Sequence, residues 1–267
     1  LTATELTDAI DDANTVTGTT DTVFTITAVD TITGSEANFT DLLDDETAEQ
    51  ISITDQDLTV NDGEISVTNA NLLNGTTSGT VTATIDAGTR VDDLKTLNGS
   101  NAYTITIDNA DATGSTATEF NAIDSATTVA IDASAVTGLA SDDIDDITTL
   151  LTAAADDTKF ANGSFENLAT VVVADTSLTA TELTDAIDDA NTVTGGTDTV
   201  FTITAVDTIT GSEANFTTLL ADETAEQISI TDQNLTVNDG EISVTNANLL
   251  NDTTSGTVTA TIDAGTR

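Results

Sequence analysis

Short runs of β-branched residues alternating with polar ones recur along the whole chain, and most close on an aspartate. They cover residues 24–30, 51–55, 81–86, 104–108, 129–132 and 171–175, ending at Asp30, Asp55, Asp86, Asp108, Asp132 and Asp175. The series then restarts at Asp207, Asp232 and Asp263. Ile and Val alternate with Thr at a period of two, the spacing of a strand that buries one face. Between the runs the apolar spacing changes to three or four, as in Phe39, Leu42, Leu43; Phe120, Ile123; Ile144, Ile147, Leu150, Leu151; and Leu183, Ile187. That spacing predicts helices. Thr179 followed by Glu182 has the form of a capping box, and Ser141 ahead of a run of acids marks a second start. Thr33-Gly34, Thr113-Gly114 and Thr137-Gly138 read as turns after the strands. Residues 51–79 depart from this pattern. There Asp62-Gly63 leads into residues 64–68, which read as an extra strand, so an all-β unit is expected.

The pattern repeats at a longer period as well. Residues 1–90 recur as 178–267, with differences only at Thr19/Gly196, Asp41/Thr218, Asp44/Ala221, Asp57/Asn234 and Gly75/Asp252. The domain reading is therefore 1–90 as the first half of one copy, 91–177 as its second half, and 178–267 as the first half of the next copy. All three are expected to form one continuous solenoid. Six strand runs per repeat give units of about 30 residues, the size of a solenoid coil. The expected fold is a β-rich repeat solenoid, either right-handed parallel β or β/α, with about six coils per repeat and a rise of about 29 Å. Tandem immunoglobulin-like β-sandwiches are the alternative, and they would need strands every 8–12 residues or so.

Composition narrows the chemistry. The chain has 47 acidic residues against four cations (Arg90, Lys95, Lys159 and Arg267), a formal charge of −43. Nucleic-acid phosphates demand Lys and Arg, so a nucleic-acid partner is excluded, and an anionic membrane surface is disfavoured. No apolar run approaches the length of a membrane span. The high charge would suit a disordered chain, but 38% of residues are hydrophobic and they are patterned, so order is expected. With no Met, and with an opening in mid-pattern at Leu1, the sequence reads as a window on a longer or processed polypeptide. Having no His or Cys, it offers no conventional triad, thiol nucleophile or zinc site, and no phosphate-binding glycine loop is present. It reads as a protein other than an enzyme.

The run-ending aspartates are the candidate site. If the coils stack in register, Asp30, Asp55, Asp86, Asp108, Asp132, Asp175, Asp207, Asp232 and Asp263 form a row at strand spacing. Unit charges about 4 Å apart repel by about 1 kcal/mol in water and about 4 kcal/mol at intermediate dielectric. Calcium, a hard cation that takes several carboxylate oxygens, is the expected counterion and the sole cofactor. The competing reading is that each Asp accepts backbone N–H groups in the turn that follows it. Acid pairs such as Asp11-Asp12, Asp44-Asp45 and Asp188-Asp189 fall on expected helices and read as solvated faces.

In composition and in such features as Val171-Val-Val-Ala-Asp175 and its Thr-Gly turns, the chain resembles giant repeat proteins of bacterial surfaces. These include cyanobacterial surface proteins, S-layer proteins and large type I-secreted adhesins. The resemblance departs from the calcium-binding glycine-rich nonapeptide pattern, of which Asn61-Asp62-Gly63 is only a fragment. It implies an extracellular or cell-surface fibre, sheath, stalk or surface layer, to which the aspartate row adds the expectation of stabilisation by cations. An adhesin or carbohydrate-binding array is its alternative. The partners implied are other copies of the chain or neighbouring repeats.

Overall fold

Ala3–Thr17 form helix α1 because both ends are specified locally. The Thr2 hydroxyl accepts the Glu5 N–H (3.1 Å) and the Glu5 carboxylate accepts the Thr2 N–H (2.9 Å), a closed capping box. Leu6 and Ile10 sit one turn apart on the buried face, and Gly18 ends the helix with φ at 69°. The computed structural model describes residues 1–20, 22–108, 114–196 and 198–265. It has two compact units, Leu1–Asp108 with Ala122–Ile131, and Asn109–Asn121 with Asp132–Arg267.

In the first unit β1 (Thr31–Ser35), α2 (Glu36–Thr47), β2 (Asp57–Asp62), α3 (Val67–Thr76), β3 (Val81–Thr84), α4 (Val91–Leu94) and β4 (Ala102–Thr104) follow one another. The four strands form one sheet in chain order, and every pair is parallel. The register stacks Ile32 on Leu58 on Val81, all buried, and beside them Thr33 on Thr59 on Thr82. Each apolar row is thus covered by the strands on either side, while the threonines turn to the other face. Successive parallel strands need a crossover, and α2 and α3 supply it.

The chain continues through α5 (Ala117–Ala126), β5 (Gly138–Asp142), α6 (Ile144–Ala154), β6 (Thr170–Val173) and β7 (Ser177–Thr179). It then passes α7 (Ala180–Thr194), β8 (Val200–Thr202), β9 (Thr208–Ser212), α8 (Glu213–Thr224), β10 (Asn234–Asp239), α9 (Val244–Thr253) and β11 (Val258–Thr259). In the second unit these strands make two parallel sheets, ordered β5-β6-β8 and β7-β9-β10-β11. Leu178, Ile209, Leu235 and Val258 form one row of the latter, and Thr179, Thr210, Thr236 and Thr259 form the next. Phe165 sits at the centre of an aromatic cluster in this unit. Its ring makes edge contacts with Phe120 (5.3 Å) and Phe160 (5.2 Å), and it is held at a φ of 56°.

The architecture is therefore α/β with parallel sheets, and more residues lie in helices than in strands. This corrects the β-rich expectation. It also removes the sandwich alternative, which is built from antiparallel sheets. The capping box at Thr179 and the four helical spacings occur where the sequence predicts them. Several local readings are corrected. Thr33-Gly34 lies within β1, where glycine suits the close packing because a Cβ there would come 3.1 Å from the Ala3 Cβ. Gly138 likewise opens a strand, Ser141 lies inside that strand, and Asp143 takes the cap position of α6. Residues 64–68 are not a strand. Gly63 turns with φ at 88°, Ile65 makes one bridge, and Ser66 caps α3. Thr113 and Arg267 lie outside the described residues. Among the described residues no helix is long and apolar enough to cross a membrane.

Candidate functional site

The nine run-ending aspartates do not share one register. Thr31 pairs with Asp57 and the Asp30 carbonyl accepts the Asp57 N–H (2.9 Å), so Asp30 lies just before its strand. Asp207 does the same for Asn234 (2.8 Å). Asp55, two residues before β2, accepts the Ser78 hydroxyl (3.4 Å), and Asp232 accepts that of Ser255 (3.1 Å). Asp86 instead follows β3. Burial, and then Glu36 and Glu64, raise its carboxyl above the usual range. Asp108 lies beyond β4, with its Oδ2 against Gly88. Asp132 accepts the Ser134 N–H (3.0 Å) and hydroxyl (2.7 Å), and Asp263 accepts the Gly265 N–H (2.7 Å). Asp175 accepts the Ile144 N–H (2.8 Å) at the start of α6, where the helix dipole favours an anion. Among the described residues no group of three or more acids is placed to hold a metal ion. Five of these carboxylates thus accept N–H or O–H donors, and the nine do not form the row on which the calcium expectation was built.

Three other polar constellations recur with the sequence repeat. The first is a groove of about 490 Å³ whose walls include Phe24, Ile26, Glu46, Glu49, Ser52 and Asp55. Its counterpart 177 residues on measures about 520 Å³ and is lined by the same residue types. Glu49 and Glu226 overhang these grooves with φ at 59° and 63°. This left-handed conformation costs a side-chain-bearing residue about 1–2 kcal/mol. The groove is lined by carboxylates, hydroxyls and apolar side chains together.

The second is a carboxylate pair at each of two helix seams, which the solvated-face reading of the acid pairs missed. Across α1 and α2 stand Asp11 and Asp45, and across α7 and α8 stand Asp188 and Asp222. Asp45 Oδ2 and Asp222 Oδ2 are both buried without a hydrogen-bond partner. Burial first and Asp188 second push Asp222 up to about 6, and burial and Asp11 raise Asp45. The hydroxyl of Thr184 reaches Asp222, but its single proton goes to the Ala180 carbonyl at 2.8 Å. Thr184 therefore only partly offsets the burial that raises the Asp222 carboxyl. Amides complete each seam: Gln50 donates to Asn14 (2.9 Å), and Gln227 to Asn191 (2.6 Å).

Glu36 makes a third recurring contact, stitching successive helix starts together. Its Oε1 accepts from the Ser66 N–H (3.2 Å), the Ser66 hydroxyl (3.2 Å) and the Asn69 amide (2.7 Å). Partial burial opposes ionisation, but these three donors outweigh it and hold Glu36 below the ordinary carboxylate range. Glu213 repeats the contact with Ser243 and Asn246.

Comparison with protein-family models, with curated proteins and with solved structures returned no match.

Proposed function

We propose that this chain is a stretch of an extracellular structural array, wound as a right-handed parallel β/α solenoid. In this reading it serves as a fibre, sheath, stalk or surface layer whose reach is set by repeat number. The observation that carries the reading is the succession of parallel pairings within each unit. Strands β1-β2-β3-β4 are sheet neighbours in chain order with a helix in each interval, and the two sheets of the second unit, β5-β6-β8 and β7-β9-β10-β11, also keep chain order while interleaving. A fold made this way adds a coil by adding sequence, because each coil needs only its neighbours to bury its apolar row. The near-identity of residues 1–90 and 178–267, which rebuild the same three helices α1–α3 as α7–α9, fits a chain lengthened by duplication. Right-handed winding follows from the preference of parallel crossovers. A surface with 47 acids and four bases repels its own kind and keeps a long polymer dispersed. An exterior location rests on the composition shared with bacterial surface proteins.

Chains carrying one, two and three further 177-residue repeats test the reading by solution X-ray scattering. Six coils at strand spacing predict that the maximum dimension grows by about 29 Å per repeat. A dimension that rises only with the cube root of length means a compact particle and ends the proposal.

A further inference from the structure

The two copies of the 90-residue half act as controls for one another, since none of the residues compared below is among the five that differ. In the second copy Val200, Phe201 and Thr202 pair with Thr170, Val171 and Val172 of β6, and α6 packs along α7. There Leu178 is 5% exposed, Phe201 1% and Ala186 0%. In the first copy the same surface is bare: Leu1 is 57% exposed, Ala9 is exposed and Phe24 is half-buried. The opposite face shows the reverse. Strand β4 covers it in the first copy, where Tyr103 is fully buried and its hydroxyl donates to the Ala70 carbonyl (3.3 Å). Val67 and Ile85 are accordingly 9% and 4% exposed, against 43% and 44% for Val244 and Ile262.

We infer that the two bare faces are docking surfaces for the intervening half of another copy of this repeat. The face around Leu1, Ala9 and Phe24 takes a segment with the sequence of residues 138–175. The face around Val244 and Ile262 takes one with the sequence of residues 91–105. The occupant is identified by identity of surface: within this chain, the same side chains are already covered by those two segments. Covering is by parallel pairing and apolar packing, a heterologous contact that propagates in one direction and does not close on itself. The inference rests on the array reading and adds to it the partner and the polarity of growth.

Hydrogen exchange on two chains tests this, the 267-residue chain and one with residues 91–177 added a second time before Leu1. In the first, α7 exchanges slowly and α1 fast. In the extended chain α1 slows by about tenfold or more, towards the α7 rate, as buried elements do. Val171→Asp in the added segment abolishes the gain. If α1 stays fast in the extended chain while α7 stays slow, the docking inference fails and the array reading stands. If α7 is as fast as α1 in the 267-residue chain, the array reading fails and takes the inference with it.

Discussion

Asp222 shows how one buried oxygen can make an acidic protein respond to pH. Its carboxyl is pushed up to about 6 from an ordinary 3.8, by burial and by Asp188 on the facing helix. Between those values the folded chain keeps a proton that the unfolded chain has released, so stability falls as pH rises through this window. Asp222→Asn supplies a permanent donor in place of that proton. The variant is expected to melt at the same temperature as the parent or higher at pH 7, with the pH 4–6 part of its slope flattened. Melting curves across that range check it, and parallel slopes for parent and variant would rule the retained proton out. Asp45 carries the same signature, and Asp41 and Asp44 on its own helix raise it further. The second copy has Thr218 and Ala221 at those two positions. None of this was legible in the sequence, where Asp11-Asp12 and Asp188-Asp189 look like any solvated acid pair. Which carboxylate of a pair faces another helix depends on how the helices cross.

Glu36 plays the corresponding part between elements. It opens α2 and accepts from Ser66 and Asn69 at the start of α3, so one carboxylate serves two helix starts. Removing it leaves the Ser66 N–H without its side-chain partner. Glu36→Ala is expected to lower stability by about 1–2 kcal/mol in urea unfolding, with Glu36→Gln losing less because an acceptor oxygen remains. Equal stability of parent and Glu36→Ala would mean that the contact is solvent-screened and without consequence. At this scale the sequence told much about helices and less about strands. Phe39 with Leu42, and Ile144 with Ile147 and Leu150, announce buried stripes by spacing alone. The strands Thr31–Ser35 and Gly138–Asp142 hid behind Gly and polar residues that usually mark turns. In the first, Gly34 answers to the closeness of Ala3, which is distant in sequence.

Charge acts over the whole molecule. A net −43 on 267 residues opposes compactness, and salt screens charges more than about 8–10 Å apart at physiological strength. With the run-ending aspartates out of register, sodium chloride is expected to raise the melting temperature as far as calcium chloride at matched ionic strength, with no effect of EDTA. A calcium-specific rise that EDTA reverses would instead establish a coordinated ion. The sequence by itself determined the repeat, the helical spacings and the absence of the side chains that most catalysis uses, since each is a matter of residue type and spacing along one chain. The strands expected at 24–30, 51–55 and 129–132 make at most isolated bridges, and Thr31–Ser35 and Asp57–Asp62 pair instead. Tertiary structure decided the register. Sliding a strand by a residue or two leaves its period unchanged but sets Asp30 beside Gln56 instead of Asp55, and Asp86 and Asp108 lie after their strands and not before them, so no single row of carboxylates forms. It also decided which acids are buried and which faces lie bare. Both depend on what packs alongside, and two stretches of the same sequence differ in exposure solely because their neighbours differ.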